Sequence, residues 1–132
     1  MLQHTPKFRT KIATSKAEFT SAQELRYRIF VQELGGGGDM VDHDLGIECD
    51  RFDPYFDHIL LFDDAREKNP MIGVYRVMTC EKAYELGEFY CDQEYDLAVL
   101  RRSGKKLLEL GRSCLEHDYR GSTALAYLWQ AV

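Results

Sequence analysis

Leu107-Leu-Glu-Leu-Gly-Arg-Ser-Cys-Leu-Glu-His-Asp-Tyr-Arg-Gly-Ser-Thr-Ala-Leu-Ala-Tyr-Leu-Trp129 reads as a buried strand, a short polar turn and the first turns of a helix. The strand is expected over Lys106 to Leu115 and the helix from near Ser122. Such an arrangement is an anion site, because a helix N-terminus preceded by Arg120 and Gly121 offers unpaired N–H groups and the positive end of a dipole. Upstream, Glu109 lies between Leu108 and Leu110, which read as buried, so its carboxylate is a candidate for desolvation. The stretch therefore implies a phosphate-bearing donor lying along the strand, with an acid/base group beside its reactive end.

Outward from this segment the pattern alternates between strand and helix periods. Phe8, Thr10 and Ile12 share one side of Lys7 to Ala13, which is strand spacing. Ser15 and Glu18 form a capping box, and Phe19, Ala22, Leu25 and Ile29 give the helix that follows a core face, ending near Phe30 or Leu34. Gly35 to Gly38 stop it and leave an irregular acidic excursion to about Asp57, the length of a lid. His58 to Phe62 and Met71 to Met78 read as a hairpin. Between residues 83 and 100 the pattern is ambiguous: Glu88 to Cys91 admits a strand, and Tyr95 to Leu100 a turn or short helix. The final helix still runs at Val132 with Leu125, Leu128 and Trp129 uncovered, so the chain is expected to be cut short within its fold.

With 132 residues, 45% hydrophobic and 12% aromatic content, and three prolines, the chain is expected to fold as one domain spanning 1–132. The longest apolar runs are too short to cross a bilayer and the first residues lack a signal-peptide core, which reads as cytoplasmic. Cys49, Cys80, Cys91 and Cys114 form no C-x-x-C, so neither a zinc site nor a disulfide framework is indicated and no metal is expected. The net charge of −5 conceals segments of +4 (residues 1–30), −12 (31–100) and +3 (101–132). An acidic middle disfavours nucleic acid and suits a small cationic acceptor, whereas the basic last third suits an anionic donor or an acidic carrier.

Five blocks then carry a resemblance: Leu25-Arg-Tyr-Arg-Ile-Phe30, Asp50-Arg-Phe-Asp53, Gly73-Val-Tyr-Arg76, Glu109-Leu-Gly-Arg112 and His117-Asp-Tyr-Arg-Gly121. In order and spacing they resemble the GNAT acyltransferase superfamily, and most of all its long-chain branch. That branch holds the ornithine-lipid N-acyltransferases, often labelled haemolysin-like, and the acyl-homoserine-lactone synthases. The resemblance implies an α/β (α+β) fold with a mixed, mostly antiparallel sheet flanked by helices, here truncated after the donor-binding helix. Its C-terminal part would be missing. One departure is the phosphate loop, which reads Arg120-Gly-Ser-Thr-Ala124 in place of the superfamily's R-x-x-G-x-G/A.

The implied chemistry is transfer of a 3-hydroxyacyl chain from an acyl-phosphopantetheine thioester to the α-amine of ornithine or a related amino acid, with no bound cofactor. Amide formation needs a neutral amine, so a base must take its proton. Glu109 is the candidate base and Arg112 would orient it or hold a carbonyl; the plain alternative is a structural Glu109–Arg112 ion pair. Arg26, Phe30, Asp50, Asp53 and Arg76 carry over as the acceptor-side lining. Asp50 and Asp53 could attract an ammonium or pair with Arg26 and Arg76 and draw the loop onto the sheet. Backbone N–H groups of Ser113, Cys114 and Leu115 would stabilise an oxyanion if the strand bulges there, and Arg120, Gly121, Ser122, Thr123 and Ala124 would hold the donor's phosphate. Donor carriage by acyl carrier protein, docking on Arg101, Arg102, Lys105 and Lys106, is weighed against coenzyme A. His58 reads as a packed histidine, and His43 and His117 as exposed. A lipid product implies at most transient contact with the inner membrane. Two other readings stay open: homoserine-lactone synthesis from S-adenosylmethionine, and a non-catalytic fragment that binds acyl carriers.

Overall fold

A computed structural model describes residues 4–132. In chain order it holds β1 (Phe8–Ile12), α1 (Lys16–Arg26), β2 (Val41–Asp42), β3 (Ile47–Glu48), β4 (Asp57–Asp63), β5 (Met71–Thr79), α2 (Cys80–Leu86), α3 (Ala98–Arg102), β6 (Leu108–Leu115) and α4 (Ala124–Gln130). Four strands form one antiparallel sheet in the order β1-β4-β5-β6, and β2 pairs with β3 in a separate ribbon. This is the α/β fold with an antiparallel sheet flanked by helices that the sequence led us to expect.

β4 and β5 are buried along almost their whole length because both sheet faces are covered. Ala22, Leu25 and Ile29 of the first helix pack on Leu60 and Val74; Ala124 and Leu128 of α4 pack on the other face with Ile59, Leu61, Ile72 and Leu115. A third cluster, Phe52, Phe56, Met78, Ala83 and Phe89, fills the space under α2. Double coverage explains why Ile59 to Phe62 reads as a continuous apolar run rather than an alternating one.

The Ser15/Glu18 capping box is present, with the Ser15 hydroxyl accepting from the Glu18 N–H at 3.2 Å. Beyond Arg26 the helix widens into a π-helical stretch, Tyr27–Glu33, which ends against the glycines. The acidic excursion is not wholly irregular, since it contains the β2–β3 ribbon. The strand admitted at Glu88 to Cys91 is instead a 3₁₀ turn over Tyr90–Gln93. Its backbone donors go to carboxylates rather than to a ladder: Phe89 N–H to Asp92 at 2.7 Å, and Tyr90 and Cys91 N–H to Glu109 at 2.8 Å each. α2 was not legible; Thr79 caps its start and Gly87, at φ +95°, ends it. α4 begins two residues later than expected and closes at Gln130.

β6 departs most from the alternation read in the sequence. Leu108 and Leu110 are 49% and 42% exposed, and the buried residue of the trio is Glu109 at 8%. Farther along, Arg76 pairs with Gly111 while Val74 pairs with Cys114, so two steps on β5 span three on β6. The extra residue makes a bulge at Arg112, whose φ of +52° lies in the left-handed region that only a few non-glycine residues adopt.

Sheet and helix approach closely at Gly73. A Cβ there would lie 2.6 Å from Leu115 Cδ2 and 3.2 Å from Leu128 Cδ1. Gly73→Ala is expected to destabilise the protein by about 1–3 kcal/mol through overpacking, read as a lower urea midpoint at unchanged m-value.

Candidate functional site

α1 delivers Arg26 to the interior, where its side chain is 0% exposed. No guanidinium is tolerated there without partners. Its Nε donates to Glu48 Oε2 at 2.6 Å, its Nη1 and Nη2 to the two oxygens of Asp53 at 2.8 Å each, and Nη2 also to the Glu48 carbonyl at 2.6 Å. Arg76, from β5, is as deeply buried; its Nη1 donates to Asp53 Oδ1 at 2.6 Å and Asp50 Oδ1 at 2.8 Å, and its guanidinium lies 4.4 Å from the Phe56 ring centroid. Arg112 reaches Glu48 Oε1 at 2.8 Å and stacks on Phe30 at 5.0 Å. Three guanidinium groups and three carboxylates thus close on one another. The loop from β3 to β4 is drawn onto the sheet, the second of the two roles open to Asp50 and Asp53.

Burial alone would raise the Asp53 carboxyl, but hydrogen bonds from Arg26 and the charges of Arg26 and Arg76 hold it far below the ordinary carboxylate range. His58 is packed, as expected: Nδ1 faces the Phe56 carbonyl at 3.1 Å and Nε2 lies 3.1 Å from Arg26 Nη1. A carbonyl only accepts, which places the ring proton on Nδ1 and leaves Nε2 to accept from Arg26.

Beside this cluster lies a cavity of about 200 Å³ lined by Phe56, Arg76, Tyr90, Cys91, Glu109, Leu110, Gly111 and Arg112. Glu109 does not pair with Arg112, whose partner is Glu48. Its two oxygens accept the Tyr90 and Cys91 N–H groups, which fix the carboxylate while each oxygen keeps a second lone pair. The Cys91 thiol is pushed up to about 11, by burial first and then by its bond to Glu109, so it stays a neutral thiol. Among the described residues, three buried side-chain polar atoms have no protein partner: Arg76 Nε, Arg112 Nε and Asp50 Oδ2. Two belong to residues that line the cavity.

The 113–124 segment lies at the other end of β6. Ser113 is exposed, and Cys114 and Leu115 are buried against β5. Burial pushes the Cys114 thiol up to about 12. Tyr119 donates to Asp63 Oδ2 at 2.7 Å, and that fully buried carboxylate also receives His4 at 2.5 Å and the Lys7 N–H at 2.8 Å. Arg120 is engaged bidentately by Glu33 and donates through Nε to the Leu115 carbonyl at 3.1 Å. Gly121 turns the chain at φ +77°, Ser122 Oγ accepts the Ala124 N–H at 3.2 Å, and Thr123 leads exposed into α4. In the basic run, Arg101 and Lys106 pair with Asp92 and Glu81, while Arg102 and Lys105 are exposed. Among the described residues there is no His/Cys/Asp/Glu group suited to a metal ion, and no helix long and apolar enough to cross a membrane.

Sequence reasoning grouped Arg26, Phe30, Asp50, Asp53 and Arg76, placed Arg112 with Glu109 instead, and missed Glu48, which bridges Arg26 and Arg112. Its one signal was an acid between Ile47 and Cys49 in an otherwise solvated acidic stretch.

Residues 25–130 match the acetyltransferase (GNAT) domain family. The chain belongs to the GNAT family. Within GNAT proteins, the L-ornithine N(alpha)-acyltransferase of Rhodobacter capsulatus is 44% identical over 128 residues, 95% of this chain and 49% of that protein. The enzyme of the same name from Brucella abortus is 38% identical over 127 residues, 92% of this chain and 45% of that protein. The chain spans about half the length of these curated relatives. In fold, this GNAT chain superposes on an N-acyl amino acid synthase from uncultured soil microbes with a TM-score of 0.67 at 19% identity, covering 96% of this chain and 63% of that one.

Because Asp53 is held ionised by the fold, its contribution to stability is full above about pH 5 and is lost progressively as pH falls below the unfolded carboxylate value near 3.9 toward its much lower folded value. Stability should therefore rise between pH 2 and pH 5. Asp53→Asn, which removes the carboxylate charge shared by two buried guanidinium groups, should cost about 3–5 kcal/mol at pH 7 and flatten that acid slope, as measured by urea denaturation across the pH range.

Proposed function

We propose that this chain carries the catalytic centre of an N-acyltransferase that moves a 3-hydroxyacyl group from a phosphopantetheine thioester to the α-amine of ornithine or a related amino acid. One observation carries the reading: the three arginines are neutralised by Glu48, Asp50 and Asp53, so Glu109 is left as the uncompensated carboxylate lining the cavity. With the Arg76 and Arg112 charges offset by acids behind the cavity wall, the Glu109 carboxylate draws an acceptor ammonium and offers a base in the same place. The names of the Rhodobacter and Brucella relatives support ornithine as acceptor.

In the reaction, Glu109 takes a proton from the ammonium, directly or through a water. The free amine attacks the thioester carbonyl carbon, the C–S bond breaks, the leaving thiolate takes the second nitrogen proton to leave as the thiol, and Glu109 releases the first to water. Negative charge on the carbonyl oxygen would be met by backbone N–H groups of the Ser113 to Leu115 segment beside the bulge. The neutral Cys91 thiol supports direct transfer without an acyl-cysteine intermediate. The guanidinium groups of Arg76 and Arg112, which line the cavity, suit the acceptor's carboxylate. The donor's phosphate would lie toward Arg120 to Ala124. Exposed Arg102 and Lys105, with Arg101 and Lys106, suit the acidic surface of an acyl carrier protein. A lipid product would place the reaction in the cytoplasm, with passing contact at the inner membrane.

The test is mass spectrometry of products formed from 3-hydroxyacyl carrier protein, a mixed amino-acid pool and S-adenosylmethionine. N-acylornithine is expected, with turnover falling about 10²–10⁴-fold in Glu109→Gln. An acyl-homoserine lactone product, or Glu109→Gln at wild-type rate, would contradict the reading.

A further inference from the structure

Arg120 is the one guanidinium at the tip that follows β6, and it is not free in the folded chain. Glu33, the last residue of the π-helical stretch, grips both Nη atoms through both of its oxygens, with Nη2 to Oε2 at 2.8 Å. Both side chains remain more than a third exposed, at 38% and 36%, so the pair sits in water where an incoming anion can reach it. The backbone of the tip is satisfied in the same way: Ser122 Oγ, which donates to the Tyr119 carbonyl at 2.6 Å, accepts the Ala124 N–H. Anchors hold the segment from both sides. Glu116 receives Arg66 at 2.7 Å and Arg28 at 3.2 Å, and Tyr119 is tied to buried Asp63. The tip therefore keeps its shape without Glu33, and the carboxylate's effect there is chiefly one of charge.

We infer that Glu33 is a specificity-determining residue of the donor site, a built-in competitor for Arg120 that weakens binding in proportion to the negative charge of the donor's phosphate end. This rests on the placement of the donor phosphate near Arg120 argued above. A phosphopantetheine arm on a carrier protein brings one phosphodiester charge to the tip; a coenzyme A thioester brings two further phosphate groups. Coulomb repulsion from Glu33 acts on each of these charges, and Arg120 must share its fork with whichever anion arrives. Glu33 thus lowers affinity for both donors and discriminates against coenzyme A.

The two roles open to this pair predict opposite signs. If Glu33 competes, Glu33→Gln frees Arg120 and tightens donor binding; if Glu33 merely orients Arg120, the same change loosens it. Equilibrium binding of 3-hydroxyacyl coenzyme A and of the same acyl group on acyl carrier protein is measured by titration calorimetry for wild type, Glu33→Gln and Arg120→Gln. We expect Glu33→Gln to lower the coenzyme A Kd by about three- to tenfold and the carrier Kd by less than about threefold, with both gains shrinking as ionic strength rises from 0.05 to 0.5 M. Arg120→Gln is expected to raise both. An unchanged or higher coenzyme A Kd in Glu33→Gln, with Arg120→Gln still weakening both donors, overturns the role of Glu33 and leaves the donor site standing. If Arg120→Gln changes neither donor, or if no protein binds either, the donor placement falls and this inference with it.

Discussion

A guanidinium with no exposed surface sits at the centre of this structure, and the rest follows from the need to neutralise it. Transfer of one such charge from water into a protein interior costs several kcal/mol even after relaxation, so Arg26 persists only because Glu48 and Asp53 occupy its donors. Those acids come from a loop of strongly negative composition that would otherwise be solvated. Fixing them brings the loop down over β4 and β5, and Arg76 and Arg112 complete the neutralisation. Apolar residues would fill the same volume at less cost. An ion cluster this size, with polar atoms still unpartnered beside a cavity, is the kind of arrangement found where a fold serves a reaction rather than its own stability.

The cluster also reaches β6. Glu48 binds Arg26 with one oxygen and Arg112 with the other, and Arg112 occupies the left-handed backbone position that makes the bulge. Strain of this kind is sustained by its surroundings, here the Glu48 bridge and the Phe30 ring. The loop and the bulge are thereby two ends of one charge network, with the Glu109 cavity between them. At the far end of β6 a second set of ion pairs, Arg28 and Arg66 on Glu116 and Arg120 on Glu33, fixes the 116–120 tip.

Much of the sheet was legible because its signals are local. The Ser15/Glu18 box, the apolar runs of β4 and β5 and the four glycines each act within a few residues. What escaped depended on distant partners. Glu88 to Cys91 resembles a strand in composition, but its N–H groups are claimed by Asp92 and by Glu109, the latter nearly twenty residues on. Leu108 and Leu110 read as buried on one face of an alternating strand; the fold turns Glu109 inward instead, where the Tyr90 and Cys91 N–H groups satisfy its carboxylate, and alternation then puts both leucines outside. Asp50 and Asp53 were identified by a block that resembles the family, whereas periodicity alone left them in a solvated loop. Glu48 belongs to no such block.

The coupling of loop to bulge is tested most directly by amide hydrogen exchange on Arg26→Met beside wild type. Protection should be lost together at residues 47–53 and 110–113, while residues 59–62 and 72–74 of the central strands keep theirs. Loosening of 47–53 with full protection retained at 110–113 would show that the bulge stands independently of the buried charges, and the account would fail.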